Sequence, residues 1–339
     1  MGQGRPITMT PSRGGNPYGM DHLQAAIAAD LAEAEIIFQQ ELQSTAPHVR
    51  ELVAHLAHYR GKRLRPILLL LTAKACGNVT REHHVLAAVV EMIHTATLVH
   101  DDILDNADLR RHVPTVNKQW GAQSSVLLGD LLFTHAFFLA STTGSTLACK
   151  MIGETTNRVC EGELHQIGEQ GNLKLTEEEY LAIIGGKTAA LTGCCCQLGA
   201  IFSGAGEAVV EQLTRFGNDL GLAFQMIDDI LDLTGEETQT GKSLGTDLAQ
   251  KKLTLPIIHL LRYGSAEVVR LTRQIIVEPS PSSIGILRSL LMQAGSLEYT
   301  LQQAERYARN ARQALQVLPE TEYRQILENL TVHVVHRSH

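Results

Sequence analysis

Glu91-Met92-Ile93-His94-Thr95-Ala96-Thr97-Leu98-Val99-His100-Asp101-Asp102-Ile103-Leu104-Asp105 is an apolar helical run that ends in acids. A second run, Ala223-Phe224-Gln225-Met226-Ile227-Asp228-Asp229-Ile230-Leu231-Asp232, ends the same way. Positions four apart on a helix share a face, so Asp101 projects with Asp105, and Asp228 with Asp232. Like charges at that spacing are destabilising, and the C-terminal end of a helix already carries partial negative charge. Two such clusters call for a compensating cation. Magnesium takes oxygen ligands and is commonly held by one or two carboxylates plus ligand phosphates. The repeated pattern therefore points to a cluster of Mg²⁺ ions bridging a diphosphate. A single Asp-Asp-x-x-Asp would read equally well as a solvated helix end. Its repetition in the same apolar context carries the inference.

Outward from these runs the helical period continues almost unbroken. Helices are expected from Asp21 to about Thr45, over Pro47–Tyr59 and Leu64–Cys76, and from Thr80 through Asp105. Pro47 and Pro66 fall in first turns, where a missing N–H costs nothing. Further helices are expected at about Val116–Ser141, Thr146–Gln166, Thr176–Ser203 and Glu207–Leu233. Thr176 and Glu179 form a capping box. Thr234 to Gly245 is polar and glycine-rich and reads as a loop. Five more helices are expected at Leu253–Tyr263, Ala266–Val277, Pro281–Ala294, Leu297–Val317 and Thr321–His336. Strand pairs with hairpin turns, βαβ alternation and repeats are not evident. The expectation is an all-α protein, a single large bundle of roughly a dozen helices around a central cavity.

Composition agrees. The 339 residues are 44% hydrophobic but only 4% aromatic, an Ala/Leu-rich balance that favours helix. A net charge of −7 excludes the basic excess of a nucleic-acid binder. The six cysteines give no CxxC pair or zinc spacing. Cys194, Cys195 and Cys196 project in three directions and are expected to be buried in a reducing, cytoplasmic setting. Residues 1–19 read as a disordered tail, and residues 20–339 as one domain. Val126 to Ala140 is interrupted by Asp130 and His135, so no transmembrane segment is expected.

Short basic clusters stand out in this acidic background: Lys62, Arg63 and Arg65 before Pro66, Arg110-Arg111 after the first acidic cluster, and Lys251-Lys252. Helix N-termini and arginine side chains suit phosphate oxygens. Two basic groups beside two acidic ones fit two diphosphate substrates. Gly235 to Ser243 is one residue too long for a P-loop and follows no strand. Gly186-Lys187-Thr188 lacks the upstream glycine, since Leu181 holds that place.

In their order along the chain these motifs resemble the trans-isoprenyl diphosphate synthases, the polyprenyl synthetase family, from about Met20 onward. The matching stretches are GKRLRP at 61–66, EMIHTATLVHDDILD at 91–105, RR at 110–111, GD at 129–130, EGE at 161–163, GKTA at 186–189, AFQMIDDILDLTG at 223–235, GKSLGTDL at 241–248 and KLTLP at 252–256. The resemblance implies an isoprenoid-synthase-type helical fold and a Mg²⁺-dependent condensation of isopentenyl diphosphate with an allylic diphosphate. It implies metal ligation by Asp101 and Asp105, with Asp102 in support, and by Asp228 with Asp229 and Asp232 near it. Lys62, Arg65, His94 and Arg111 then resemble the isopentenyl diphosphate site. Arg110, Lys187, Lys242 and Lys252 resemble contacts to the allylic diphosphate. Thr188 and Gln225 resemble positions beside the reacting allylic carbon. Gln250-Lys251-Lys252 replaces a common Glu-Gly-Lys, which leaves open which lysine points inward. The family further implies a homodimer.

The growing chain needs an apolar tunnel. The helix ending at Asp105 offers the face of Thr97, Ile93, Val90 and Leu86, about 22 Å long at about 1.5 Å per residue. In the family, bulky aromatics four and five residues before the first motif close this pocket. Here those positions are Thr97 and Ala96, so products longer than geranylgeranyl diphosphate are expected, in the heptaprenyl to decaprenyl range. The competing readings are a short-chain farnesyl or geranylgeranyl synthase, a class I terpene cyclase and a non-catalytic subunit of a heteromeric synthase. A cyclase lacks the second Asp-Asp-x-x-Asp, and non-catalytic subunits lose aspartates or basic residues that are intact here.

Overall fold

The computed structural model describes residues 24–59, 61–235, 245–280 and 283–336. The expected tail at 1–19, the Asp21 cap and Lys242 lie outside the described residues.

Among the described residues the fold is all-α apart from one short hairpin. In order the helices are α1 (Ala28–Glu41), α2 (Pro47–His55), α3 (Leu64–Cys76), α4 (Arg81–Leu104), α5 (Val116–Ser141) and α6 (Thr146–Gly168). Then come α7 (Glu177–Ile184), α8 (Ala190–Phe202), α9 (Glu207–Thr234), the short α10 (Thr246–Ala249) and α11 (Leu255–Tyr263). After these come α12 (Ala266–Val277), α13 (Ser283–Gln293), α14 (Ser296–Ala314) and α15 (Glu322–His336). Leu56–Tyr59 tightens into a 3₁₀ turn after α2.

The two acid-bearing helices are central. α4 packs along α5, and α9 packs against α8 and α14. Between them α3 and α8 lie against each other. Every residue of α4 from Val85 to Ile93 is buried, and Ile67 to Leu71 of α3 are fully buried. A helix buried on all sides needs no polar face, which is why these stretches read as nearly continuous apolar sequence, interrupted by Glu91, which pairs with Arg63. Glycines let the central helices close up. A methyl group on Gly199 would stand 2.5 Å from the Leu69 carbonyl oxygen of α3, and one on Gly217 would stand 2.5 Å from that of Thr192 in α8. The six cysteines are free, and Cys194, Cys195 and Cys196 are all buried.

Two features depart from the sequence expectation. The first is an antiparallel hairpin, β1 (Leu109–Arg110) with β2 (Val113–Pro114). Its two-residue turn, Arg111-His112, has φ of 53° and 65°. That is the geometry usually given to Asn-Gly, so the sequence carried no hairpin signal. The second interrupts the helix expected over Thr176–Ser203. Between α7 and α8, Gly185–Ala189 forms a π-turn. The inserted residue rotates Lys187 and Thr188 relative to the flanking helices.

By length and composition alone, the stretches 116–141 and 177–202 could cross a bilayer. The second is mostly buried, and α5 breaks its helical path at Gly121 (φ 82°).

Backbone contact between α6 and the π-turn holds Lys187 in place. A Cβ on Gly162 would stand 2.5 Å from the Lys187 nitrogen, whereas one on Gly153, also in α6, meets nothing within 4 Å. Gly162→Ala is expected to destabilise the protein by about 1–3 kcal/mol. Gly153→Ala is expected to be neutral or stabilising by up to about 1 kcal/mol. Paired thermal unfolding curves check the contrast, and equal midpoints would show that this backbone contact is not tight.

Candidate active site

α4 ends where its acids begin. Asp101 and Asp102 occupy the last turn and Asp105 is the C-cap. The three carboxylates have different surroundings. Asp102 is fully buried. It accepts hydrogen bonds from the Tyr59 hydroxyl at 2.6 Å and from Arg110 Nε and Nη2 at 2.9 and 2.7 Å. The hairpin turns Arg110 inward to make that pair. Asp105 accepts from Lys252 Nζ at 2.9 Å, and its backbone carbonyl accepts from Gln250 Nε2 at 3.2 Å. Of the two adjacent lysines, Lys252 is therefore the one that points inward; its side chain is 9% exposed.

Asp101 faces a cavity of about 560 Å³. Burial pushes its carboxyl up to about 6. Glu163 and Asp105 push the same way, against Lys187 and Arg110.

α9 repeats the arrangement. The middle carboxylate, Asp229, is again buried and again bonded to a tyrosine, with Tyr180 Oη at 2.6 Å and Gln225 Nε2 at 2.9 Å. Burial and the neighbouring Asp247 and Asp228 drive its pKa up. Asp228, one residue earlier, lines the same cavity as Asp101. Asp232 turns away from it and accepts from the backbone nitrogens of Thr246 and Asp247 at 3.2 and 3.3 Å. Thr188 Oγ1 donates to Gln225 Oε1 at 2.8 Å, and Lys187 pairs with Glu163 at 2.5 Å. Burial alone would lower the Lys187 pKa, but Asp101, Glu163 and Asp105 outweigh it and raise it. These lysine pairs place positive charge among the acids.

A second cavity, of about 340 Å³, adjoins the first. Lys62, Arg63, Arg65, Glu91, His94 and Arg111 line it. Arg65, His94, Arg111 and Phe224 belong to both walls. Arg63 adopts a left-handed backbone (φ 54°) and bridges Glu35 at 2.6 Å and Glu91 at 2.8 Å, which fixes the turn carrying Lys62 and Arg65. Arg111 donates to the Tyr59 carbonyl at 2.7 Å and lies flat against Gly61, where a Cβ would strike its guanidinium. Burial, reinforced by Arg65, Arg110, Arg111 and Arg63, holds His94 neutral, its pKa well below the ordinary imidazole value. His100, by contrast, packs over Gly129 of α5, with Nε2 3.2 Å from the Val126 carbonyl.

The chain-length positions divide. Thr97 lies on the wall of the larger cavity. Ile93 is 1% exposed and Ala96 fully buried; neither lines that cavity. The apolar wall comes instead from Leu98 and Leu104 of α4, Phe133 of α5, and Val159, Leu164 and Ile167 of α6.

Sequence reading missed the parts that hold the carboxylates. Tyr59 and Tyr180 have no local signature; each reaches its aspartate across more than forty residues. Glu163 could have been found, since the Glu161-Gly162-Glu163 motif was visible and its glycine marks the close contact with Lys187.

The polyprenyl synthetase family model matches residues 46–292. An all-trans-nonaprenyl-diphosphate synthase (geranyl-diphosphate specific) of Rhodobacter capsulatus is 39% identical over 91% of this chain and 94% of its own length. The octaprenyl diphosphate synthase of Escherichia coli is 35% identical over 94% of this chain and 99% of its own. A polyprenyl synthase structure from Caulobacter crescentus, complexed with calcium and isoprenyl diphosphate, superposes with a TM-score of 0.91. That pair is 35% identical and covers 95% of this chain and 98% of the other.

Proposed function

We propose that this chain, which belongs to the polyprenyl synthetase family, condenses isopentenyl diphosphate head-to-tail with an allylic diphosphate to make a long trans-polyprenyl diphosphate. The observation that carries the reading is the pair of adjoining cavities. One is basic, the other acidic and apolar, and they share the wall of Arg65, His94, Arg111 and Phe224. Two anionic substrates seated there meet at that wall.

The residues fit magnesium. Asp101, Asp105 and Asp228 offer oxygen donors at the helix ends, while Asp102 and Asp229 spend their oxygens on tyrosine, arginine and glutamine donors and act as supports. Among the described residues, no three acids, histidines or cysteines form a ready-made metal cage. That suits an ion whose remaining ligands are diphosphate oxygens and water. When bound, magnesium would supply Lewis-acid stabilisation of charge on the leaving diphosphate. Lys187 and Lys252, which pair with Glu163 and Asp105, contact the allylic diphosphate, with Lys242 a further candidate from the family motif. Arg110 holds Asp102 and thereby the first motif. Thr188 and Gln225 lie beside the ionising carbon and face it with oxygen dipoles. Lys62, Arg65, His94 and Arg111 hold isopentenyl diphosphate so that its double bond attacks the allylic cation. The departing diphosphate takes the proton lost from the new chain.

Residues 20–339 form one domain in this reading. It acts as a homodimer through the apolar face of α5, where Val126, Leu127, Phe137 and Phe138 are exposed.

Three outcomes are expected. Purified alone with farnesyl and isopentenyl diphosphates, the chain makes heptaprenyl to decaprenyl products, and Thr97→Phe shortens them. A farnesyl or geranylgeranyl end product would reject the long-chain reading, and no product at all would favour a non-catalytic subunit. A carboxyl at about 6 is protonated as pH falls, so protons compete with metal at Asp101. Below that pH the Mg²⁺ concentration needed for half-maximal rate should rise about tenfold per unit; a flat requirement from pH 7 to 5 would count against ligation by Asp101. Phe138→Glu should convert the particle from dimer to monomer by light scattering; an unchanged mass would move the interface elsewhere.

A further inference from the structure

We propose that His333, on the last helix, is a further contact to the diphosphate of the homoallylic substrate in the basic cavity. This rests on the function proposed above and extends it to a residue outside the motifs quoted for the family resemblance.

α15 packs against α3, α9 and α14. Three of its residues reach the basic cavity: Leu330, His333 and Val334. Leu330 and Val334 are at most 1% exposed, and they lie three residues before and one after the histidine. On a helix, positions 330, 333 and 334 share one face. The buried anchors therefore fix the side from which the imidazole enters. The next polar residue on the buried side, Thr331, is bonded to Arg312 of α14 at 3.0 and 3.2 Å. That arginine is thus committed behind the helix.

Across the cavity stand Lys62, Arg63 and Arg65, Glu91 and His94 of α4, and Arg111 of the hairpin. Four of these are fixed cations and one an acid, and Arg63 spends its charge on Glu91 and Glu35. The net positive lining marks this cavity as a place for an anion. A diphosphate entering the cavity reverses the local field. An imidazolium can then donate to a phosphate oxygen in a charge-assisted bond. An anion bound beside His333 favours the protonated ring, so binding would be accompanied by proton uptake.

The test uses the full chain and measures binding by titration calorimetry in buffers of different ionisation enthalpy. Isopentenyl diphosphate and inorganic diphosphate are the probes. His333→Gln should weaken both about tenfold, as loss of one charge-assisted bond implies. It should also reduce proton uptake, with the KM for the allylic substrate unchanged within about twofold. His333→Lys should keep the affinity while losing the same share of proton uptake. Wild-type affinity and proton uptake in His333→Gln would overturn the assignment. So would equal weakening of both substrates with a lowered melting temperature, the mark of a merely structural role. If inorganic diphosphate shows the His333 effect but isopentenyl diphosphate does not bind at all, the anion site stands and the proposed substrate falls.

Discussion

The site depends on negative charge held where a helix least tolerates it. α4 and α9 both end in acids, at the terminus whose dipole already points negative. The fold offsets this with its own side chains. In each motif the middle carboxylate is buried and bonded to a tyrosine hydroxyl, Asp102 to Tyr59 and Asp229 to Tyr180. Two lysines from elsewhere in the chain, Lys187 and Lys252, lie against Glu163 and Asp105. Asp232 accepts from the backbone nitrogens of Thr246 and Asp247, and Asp101 and Asp228 face a common cavity. A carboxylate left unpaired in such a place costs several kcal/mol, so these partners are what make the cluster tolerable.

Backbone strain follows the same geography. The described non-glycine residues with positive φ are Arg63, Asn106, Arg111, His112 and Lys251. Each sits in a turn that carries or adjoins a site residue: Lys62 and Arg65, Asp105, Arg110, Lys252. A left-handed backbone costs a side-chain-bearing residue of order 1–2 kcal/mol. The surrounding structure over-determines these turns, Arg63 through Glu35 and Glu91, Arg111 through the Tyr59 carbonyl. Strain gathered at the cations is the counterpart of charge gathered at the acids.

The helices were legible because their signals are local. Leu64–Cys76 and Val116–Ser141 fall at the expected residues, where Pro66 sits in a first turn and Thr115 caps the next helix. The first helix is shorter than expected, ending at Glu41. The π-turn at Gly185–Ala189 was hidden because its residues are compatible with an ordinary helix; it lies where Gly186 packs closely on Gly162 of α6. The hairpin was hidden because Arg111-His112 is an improbable pair for its turn. Which acids face the cavity could not be read either. Spacing put Asp101 with Asp105 and Asp228 with Asp232, yet Asp105 is paired to Lys252 and Asp232 is turned to the backbone of Thr246 and Asp247. Those partners come from residues 246–252, beyond the helices that carry the acids, which helical periodicity does not see. The family resemblance supplied the roles, and the described structure shows which side chains share a wall.

The central claim is that the two acidic helix ends grip one diphosphate through shared metal ions. A crystal structure with Mn²⁺ in place of Mg²⁺ and a non-ionising allylic diphosphate analogue tests it directly, because manganese reports its own position by anomalous scattering. The account predicts manganese peaks between the diphosphate and the carboxylates of Asp101, Asp105 and Asp228, with Asp102 and Asp229 still bonded to their tyrosines. A diphosphate bound only by lysines and arginines, or metal found at one motif and absent from the other, would contradict it.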